Sequence, residues 1–447
     1  MAHPTVVIDV VGLTSGLLGE ASPRITALAG RGRVQRLTPV LPAVTCSVQS
    51  SMVTGLAPAD HGIVGNGWYD REPAEVRFWR QSNHLVGGRK LWETARRRDP
   101  SVTSCSMFWW FNMYSTVNFS VTPRPIYTAD GRKIPDVYSE PAELRDILQQ
   151  RLGRFPLFHF WGPASSIRSS RWIADASVLV HERHRPTLTM IYLPQLDYAL
   201  QKLGPDHPDI PGHVRAIDAV VGTLIDYFEQ QDARIVLLGE YGVEPVATVV
   251  HVNRVLREAG LLRVRLERGG ELLDAGASDA FAVADHQVAH VYVRDTGRVD
   301  AVRALCRRID GVEEVLDGFH ARSGDLVLVA EQGCWFSYDY WLDDRCAPDF
   351  ARTVDIHRKP GYDPCELFVD PSIAVPRLTI AGKLLRRALG FRTVMDVIPL
   401  DPSLVRGSHG RTGMPEHRQP ILITAGGGGA EEISCCEVGE VILSQLF

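Results

Sequence analysis

The sequence has no run of eighteen or more apolar residues, so nothing in it reads as a membrane-spanning helix. It also lacks an excess of positive charge: the net charge is −5. That removes the electrostatic basis for binding a nucleic-acid polymer. The N-terminus, "MAHPTVVIDVVGL", has no basic start, apolar stretch and small-residue cleavage site of the kind that marks a signal peptide. A cytoplasmic location with no membrane partner is the expectation. The eight cysteines include no Cys-x-x-Cys pair, so reduced thiols are expected rather than a disulfide framework. No repeat at solenoid period and no low-complexity linker interrupts the chain.

What is present is a long chain with ordinary globular composition. Its 447 residues, 45% of them hydrophobic, exceed one minimal core and suit a large α/β domain carrying a subdomain. Short β-rich runs alternate with helical patterns. "TVVIDVV" (5–11) precedes "SPRITALAGRG", with Ser22 placed as an N-cap and Pro23 at the first helical position. "TLTMIYL" (187–193), "ARIVLLGEYG" (233–242) and "PILIT" (420–424, followed by "AGGGG") read as buried strands, and "HVRAIDAVVGTLIDYFEQQ" (213–231) as a helix. The alternation predicts a largely parallel central sheet with helices on both faces. Ligands of such sheets gather beyond the carboxyl ends of the strands. Asp9 lies within its run, and Asp197 and Glu240 lie just past theirs, so three carboxylates distant in sequence are expected at one rim.

Residues 250–350 read differently: a short helix, a hairpin around "ERGGELLD", the strand-like "AFAVADHQVAHVYVRD", a helix near 299–308, then "DLVLVAEQ" and "WFSYDYWLDD". The expectation is an inserted α+β cap over 250–350, with 1–249 and 351–447 forming the core.

The most distinctive stretch is "PAVTCSVQSSMVTGLAPADHGIVGN" (42–66). Turn chemistry accounts for its glycines, and Thr45 alone would pass for a helix N-cap. Together, however, the Pro-rich entry to Thr45, the Thr-Gly-Leu-x-Pro run and His-Gly-Ile-x-x-Asn resemble the nucleophile segment of the alkaline phosphatase superfamily, in its type I phosphodiesterase/nucleotide pyrophosphatase group. Weaker similarities follow in order at "VVIDVVGL" (6–13), "YLPQLDYALQKLGPD" (192–206), "LLGEYGV" (237–243) and "RGSHG" (406–410).

The resemblance implies an alkaline-phosphatase-like fold and a site with two divalent metal ions, zinc first, with manganese or iron as alternatives. Such ions stand roughly 3.5–4 Å apart and clamp a phosphoryl group. Thr45 matches the nucleophile, a poor one at neutral pH unless a bound cation stabilises its alkoxide. Asn66 matches the ligand of the phosphoryl oxygen. Asp9, Thr45, Asp197, Glu240 and His409 match metal ligands. Asp9 stands two residues before the usual position, where this chain has Val11. Two imidazoles of the family pattern are replaced: Gln201 stands where a His would follow Asp197, and Glu240-Tyr241 replaces Asp-His. Gln201, Tyr241 and His357 are therefore candidates for replacement ligands or supports of ligands. Asp285, His286 and His290 are a further reserve, the two histidines sharing a face if their segment is a single strand. His61 is expected to support the turn after the nucleophile helix.

In "MFWWFNMYS" (107–115), Trp109, Trp110 and Tyr114 are candidates for stacking on a planar leaving group, with core packing the plainer reading. The implied substrate is a small phosphorylated molecule, a nucleotide among the options, cleaved at a phosphodiester or pyrophosphate bond through a covalent Thr45 intermediate. Alternatives are a phosphonate or phosphomonoester hydrolase, a specialised biosynthetic member, or a non-catalytic member that binds a phosphorylated ligand. A sulfatase is disfavoured, because "TCSVQS" lacks the Cys/Ser-x-Pro-x-Arg pattern. A homo-oligomer is left open.

Overall fold

One nine-stranded sheet organises the protein in a computed structural model that describes residues 2–426 and 430–447. From edge to edge the strands are Glu432–Ser434, Arg33–Thr38, Ile421–Thr424, Arg234–Leu238, Thr5–Val10, Leu188–Leu193, Ser104–Met107, Phe119–Pro123 and Val137–Glu140. Thr5–Val10 pairs in parallel with Leu188–Leu193 and Arg234–Leu238 on either side. The parallel run continues through Ser104–Met107 to Phe119–Pro123. Ile421–Thr424 is antiparallel to both its neighbours, as is Val137–Glu140 to its one. The sheet is thus largely parallel, as the alternation of elements implies.

Burial explains the centre. Every residue of Thr5–Val10 and Leu188–Leu193 is buried, and both strands are rich in β-branched and large apolar side chains. Helices Pro23–Arg31, Ile167–His184 and Ile210–Gln230 pack together as one layer. Thr45–Thr54, Leu91–Arg98 and Val438–Leu446 form the other. Each fully buried aliphatic side chain contributes about 1.5–3 kcal/mol. In this setting Asp9, a carboxylate with no exposed surface in the middle strand, requires a specific reason.

Several local expectations change. Ser22 does not cap its helix: its hydroxyl donates to the Leu17 carbonyl. The orphan N–H groups of Arg24 and Ile25 donate instead to the Asp218 carboxylate on Ile210–Gln230, a cap supplied across the layer. "AFAVADHQVAHVYVRD" is not one strand but a tight hairpin, Ala280–Asp285 paired with Val288–Val293. His286 therefore sits in the turn, at φ 59°, and does not share a face with His290. The hairpin joins a four-stranded antiparallel sheet with its own apolar cluster, which also takes in Phe78 and Tyr362. The glycines at 427–429 lie outside the described residues. All eight cysteines are free thiols.

Candidate active site

Val44, in extended conformation, takes the N-cap position, and Thr45 opens the helix Thr45–Thr54. The Thr45 hydroxyl is thereby released from capping. Its Oγ1 lies 3.0 Å from the Tyr241 hydroxyl. The glycines that follow have conformational reasons: Gly55 and Gly62 each end a helix in the left-handed region, at φ 72° and 75°. The Cys46 N–H, beside the nucleophile candidate, donates to Asn66 Oδ1 at 3.1 Å. Asn66 in turn donates to Asp285 from its backbone N–H (2.7 Å) and its Nδ2 (3.1 Å). The hairpin that carries Asp285 thus fixes Asn66 beside the helix start.

Below Thr45, one turn along the same helix, the Gln49 amide bridges two carboxylates. Nε2 donates to Glu240 Oε1 at 2.7 Å and to Asp9 Oδ2 at 3.3 Å, while Oε1 accepts from the Trp110 N–H at 2.7 Å. Burial raises the Asp9 pKa to about 7. Glu240 is raised well above its usual range by burial and then by the Asp9 charge, although hydrogen bonds from Gln49 and Thr45 oppose the shift. Without an added cation this pair holds a proton at neutral pH.

The other half of the cluster is built on the helix Gln195–Leu203 and the loop after Gly407. Gln201 Nε2 donates to Asp197 Oδ2 at 2.7 Å and Gln201 Oε1 accepts from the Tyr362 hydroxyl at 2.8 Å. Gly407 permits the loop to lie against this helix: a Cβ there would stand 2.2 Å from the Leu200 carbonyl oxygen. His409 follows. Its Nδ1 is bonded to the Ala43 carbonyl at 2.8 Å, which places the proton on Nδ1 and leaves a lone pair on Nε2. Nε2 faces Asp197 Oδ1 at 3.9 Å. Burial lowers His409 to about 3 and raises Asp197 to about 8, so this contact is not an ion pair at neutral pH. Four rings form a continuous stack, Tyr241–His409–His286–Tyr362, with successive centroids 3.7 Å apart.

With this geometry in place, comparison with known proteins adds the family. The protein-family model for type I phosphodiesterase / nucleotide pyrophosphatase covers residues 5–363. The chain belongs to that family. An uncharacterised pyrophosphatase/phosphodiesterase of Schizosaccharomyces pombe is 24% identical over 254 residues, 54% of this chain and 45% of that protein. Rat ectonucleotide pyrophosphatase/phosphodiesterase family member 1 is 23% identical over 281 residues, 58% of this chain and 26% of that protein. The match therefore spans less than half the length of these curated relatives. Among solved structures, phosphonoacetate hydrolase from Sinorhizobium meliloti, in complex with phosphonoformate, superposes with a TM-score of 0.63 at 16% identity, covering 100% of this chain and 96% of that one. Murine ectonucleotide pyrophosphatase/phosphodiesterase 5 gives a TM-score of 0.59 at 13% identity, covering 99% and 95%. At these identities the superpositions show the fold.

Within this family member, Thr45, Asn66, Asp9, Asp197, Glu240, His409, Gln201 and Tyr241 meet in one linked, buried cluster. Trp110 borders it through its backbone bond to Gln49 and an edge contact with Trp79. Trp109 is buried in the main core. Tyr114 is exposed and packs on Tyr138. His357 is exposed, its ring against Tyr127, and no described contact joins it to the cluster. His290 uses both ring nitrogens structurally, on Val64 and Gly324, and His61 does the same on Ser51 and Ile63. The sequence reading missed Gln49 and Tyr362 and placed Asp285 and His286 only in reserve. For Gln49 a signal existed: it stands four residues after Thr45, on the same helix face. Tyr362 carried none.

Four buried atoms with lone pairs in the cluster have no hydrogen-bond partner: Asp9 Oδ1, Glu240 Oε2, Asp197 Oδ1 and His409 Nε2. No cationic side chain contributes to the shifts of Asp9, Glu240 or Asp197. Unpaired buried carboxylates and a lone imidazole electron pair together suit a cation. Among the described residues, however, no three His, Cys, Asp or Glu side chains group closely enough to hold a metal ion by themselves.

Proposed function

We propose that the protein is a metal-dependent hydrolase of phosphate esters, acting on phosphodiester or pyrophosphate bonds through Thr45. The observation that carries this reading is the uncapped Thr45 hydroxyl, 3.0 Å from Tyr241, among these four orphaned buried atoms. Tyr241 donates to Oγ1 and orients its lone pairs toward phosphorus. Glu240, whose Oε2 is buried without a hydrogen-bond partner, takes the hydroxyl proton as the bond to phosphorus forms. The bond from phosphorus to the leaving oxygen breaks; water then attacks phosphorus, the bond to Thr45 Oγ1 breaks, and the proton held by Glu240 returns to Oγ1. The free hydrogen on Asn66 Nδ2 meets a phosphoryl oxygen, in a position held by Asp285.

Asp9, Glu240, Thr45 and Tyr241 would hold one divalent ion, and Asp197, His409 and Gln201 a second. When bound, such ions neutralise phosphoryl oxygens and make the Thr45 alkoxide accessible. With one imidazole in the set and oxygen donors elsewhere, manganese is favoured over zinc.

The test is hydrolysis of bis(p-nitrophenyl) phosphate with added manganese or zinc. Activity in the unmodified chain and its loss in Thr45→Ala, with an unchanged thermal transition, is the expected result. Retention of full activity by Thr45→Ala overturns the assignment of the nucleophile.

A further inference from the structure

The helix Pro376–Ala388 contains no buried residue. It is nevertheless rich in large apolar side chains: Leu378, Leu385 and Leu389 are 71%, 62% and 67% exposed, and Phe391 is 59% exposed. At 100° per residue the three leucines fall within about 40° of one another, and Ile380 falls roughly opposite. Ile380 is the residue that packs on the protein, against the cluster of Val246, Trp335, Val397 and Ile398. The leucine stripe therefore faces away from the protein.

Charge is segregated to the same segment. Residues 371–395 carry Arg377, Lys383, Arg386, Arg387 and Arg392 and no Asp or Glu, in a chain whose net charge is −5. Lys383 pairs with Asp396. None of the four arginines has an ion-pair partner among the described residues.

We propose that this helix is a docking surface for an anionic lipid bilayer, lying in the headgroup plane with the leucine stripe down and the exposed Arg377, Arg386 and Arg392 on phosphate groups. Charge complementarity selects this occupant. A second copy meeting this face symmetrically would set five cations against five. A lipid surface accommodates both features at once, because arginine stems follow the apolar layer while their heads stay at the phosphates. The expectation of no membrane partner rested on the lack of a spanning run. No helix among the described residues is long and apolar enough to cross a membrane, but that leaves binding in the interface plane untouched.

The test is co-sedimentation of the full chain with vesicles of phosphatidylcholine alone or mixed with phosphatidylglycerol. Binding to the mixed vesicles should be roughly 100-fold stronger than to the neutral ones, falling steeply with salt. Leu385→Glu with Leu389→Glu, and separately Arg386→Glu with Arg392→Glu, should each reduce it at least about tenfold, with an unchanged thermal transition since all four positions are exposed. Phe391→Trp, in an otherwise unaltered chain, should show a blue-shifted emission on the mixed vesicles only, whatever the folding of the charge variants. Lack of binding to anionic vesicles, binding indifferent to these substitutions, or a self-association in sedimentation velocity that the same substitutions abolish would each overturn the proposal.

Discussion

The Tyr241 hydroxyl lies 3.0 Å from Thr45 Oγ1, across 196 residues of sequence. Tyr241 occupies the place where the family pattern has an imidazole, and its ring stacks on His409 with planes 10° apart. Tyr241→Phe keeps that stack and removes only the hydroxyl. The expected outcome is a fall in kcat of about tenfold to a hundredfold toward bis(p-nitrophenyl) phosphate, the effect of losing one positioned hydrogen bond at a developing charge. Steady-state kinetics decide it, and unchanged kcat would show that Tyr241 only packs.

Gln49 joins the nucleophile helix to both Asp9 and Glu240. Gln49→Ala removes the amide donor and leaves two buried carboxylates less satisfied. The metal-free variant should lose about 1–3 kcal/mol of stability. Added manganese should then raise its Tm by more than it raises that of the unmodified protein, because the cation takes over the neutralising role. Thermal melts with and without the ion test this. An equal rise in both would mean that Gln49 and the cation do not share the same carboxylates.

Much of this site was legible in the sequence because its parts sit at strand ends, where buried runs stop at polar residues. Asp9, Asp197 and Glu240 could be placed at one rim from periodicity alone. Thr45 and Asn66 were marked by the resemblance of their segment to that of a known family. What could not be read was long-range. Asp218 capping a distant helix and Tyr362 meeting Gln201 leave no local pattern, since each depends on how layers pack. The hairpin at His286 was misread because its turn carries His-Gln rather than the glycine or asparagine that usually marks a left-handed position. A His held at φ 59° is uncommon, and here it places a ring in the stack beside His409.

Asp285 acts on the site through Asn66, to which it gives two acceptor oxygens. Asp285→Ala should leave Asn66 Nδ2 free to turn away from the phosphoryl position. A drop in kcat of about tenfold to a hundredfold, with KM less affected, is expected. Asp285→Asn, which keeps one acceptor, should recover part of it. Equal kinetics for all three proteins would show that the hairpin that carries Asp285 does not position Asn66.

Burial raises Asp9 and Asp285 from 3.8 to about 7 and Asp197 to about 8. The sign of the consequence follows from proton linkage. Between about pH 4 and pH 7–8 the folded, metal-free protein holds protons on these groups that the unfolded chain has released. Raising the pH through that window therefore lowers stability, by up to about 1.4 kcal/mol per unit for each such group. Burial holds His409, His286 and His290 neutral, and their opposite contribution, which grows as pH rises, is nearly complete by about pH 7. The metal-free protein should therefore melt at a lower temperature at pH 8 than at pH 7. Divalent cations held at Asp9 and at Asp197 compete with those protons, so their stabilising effect should be larger at pH 8 than at pH 7. Melting curves at the two pH values, before and after chelation, measure both effects together. A metal-free protein that is more stable at pH 8, or a cation effect that does not grow with pH, would show that these carboxylates are charged and satisfied without an ion.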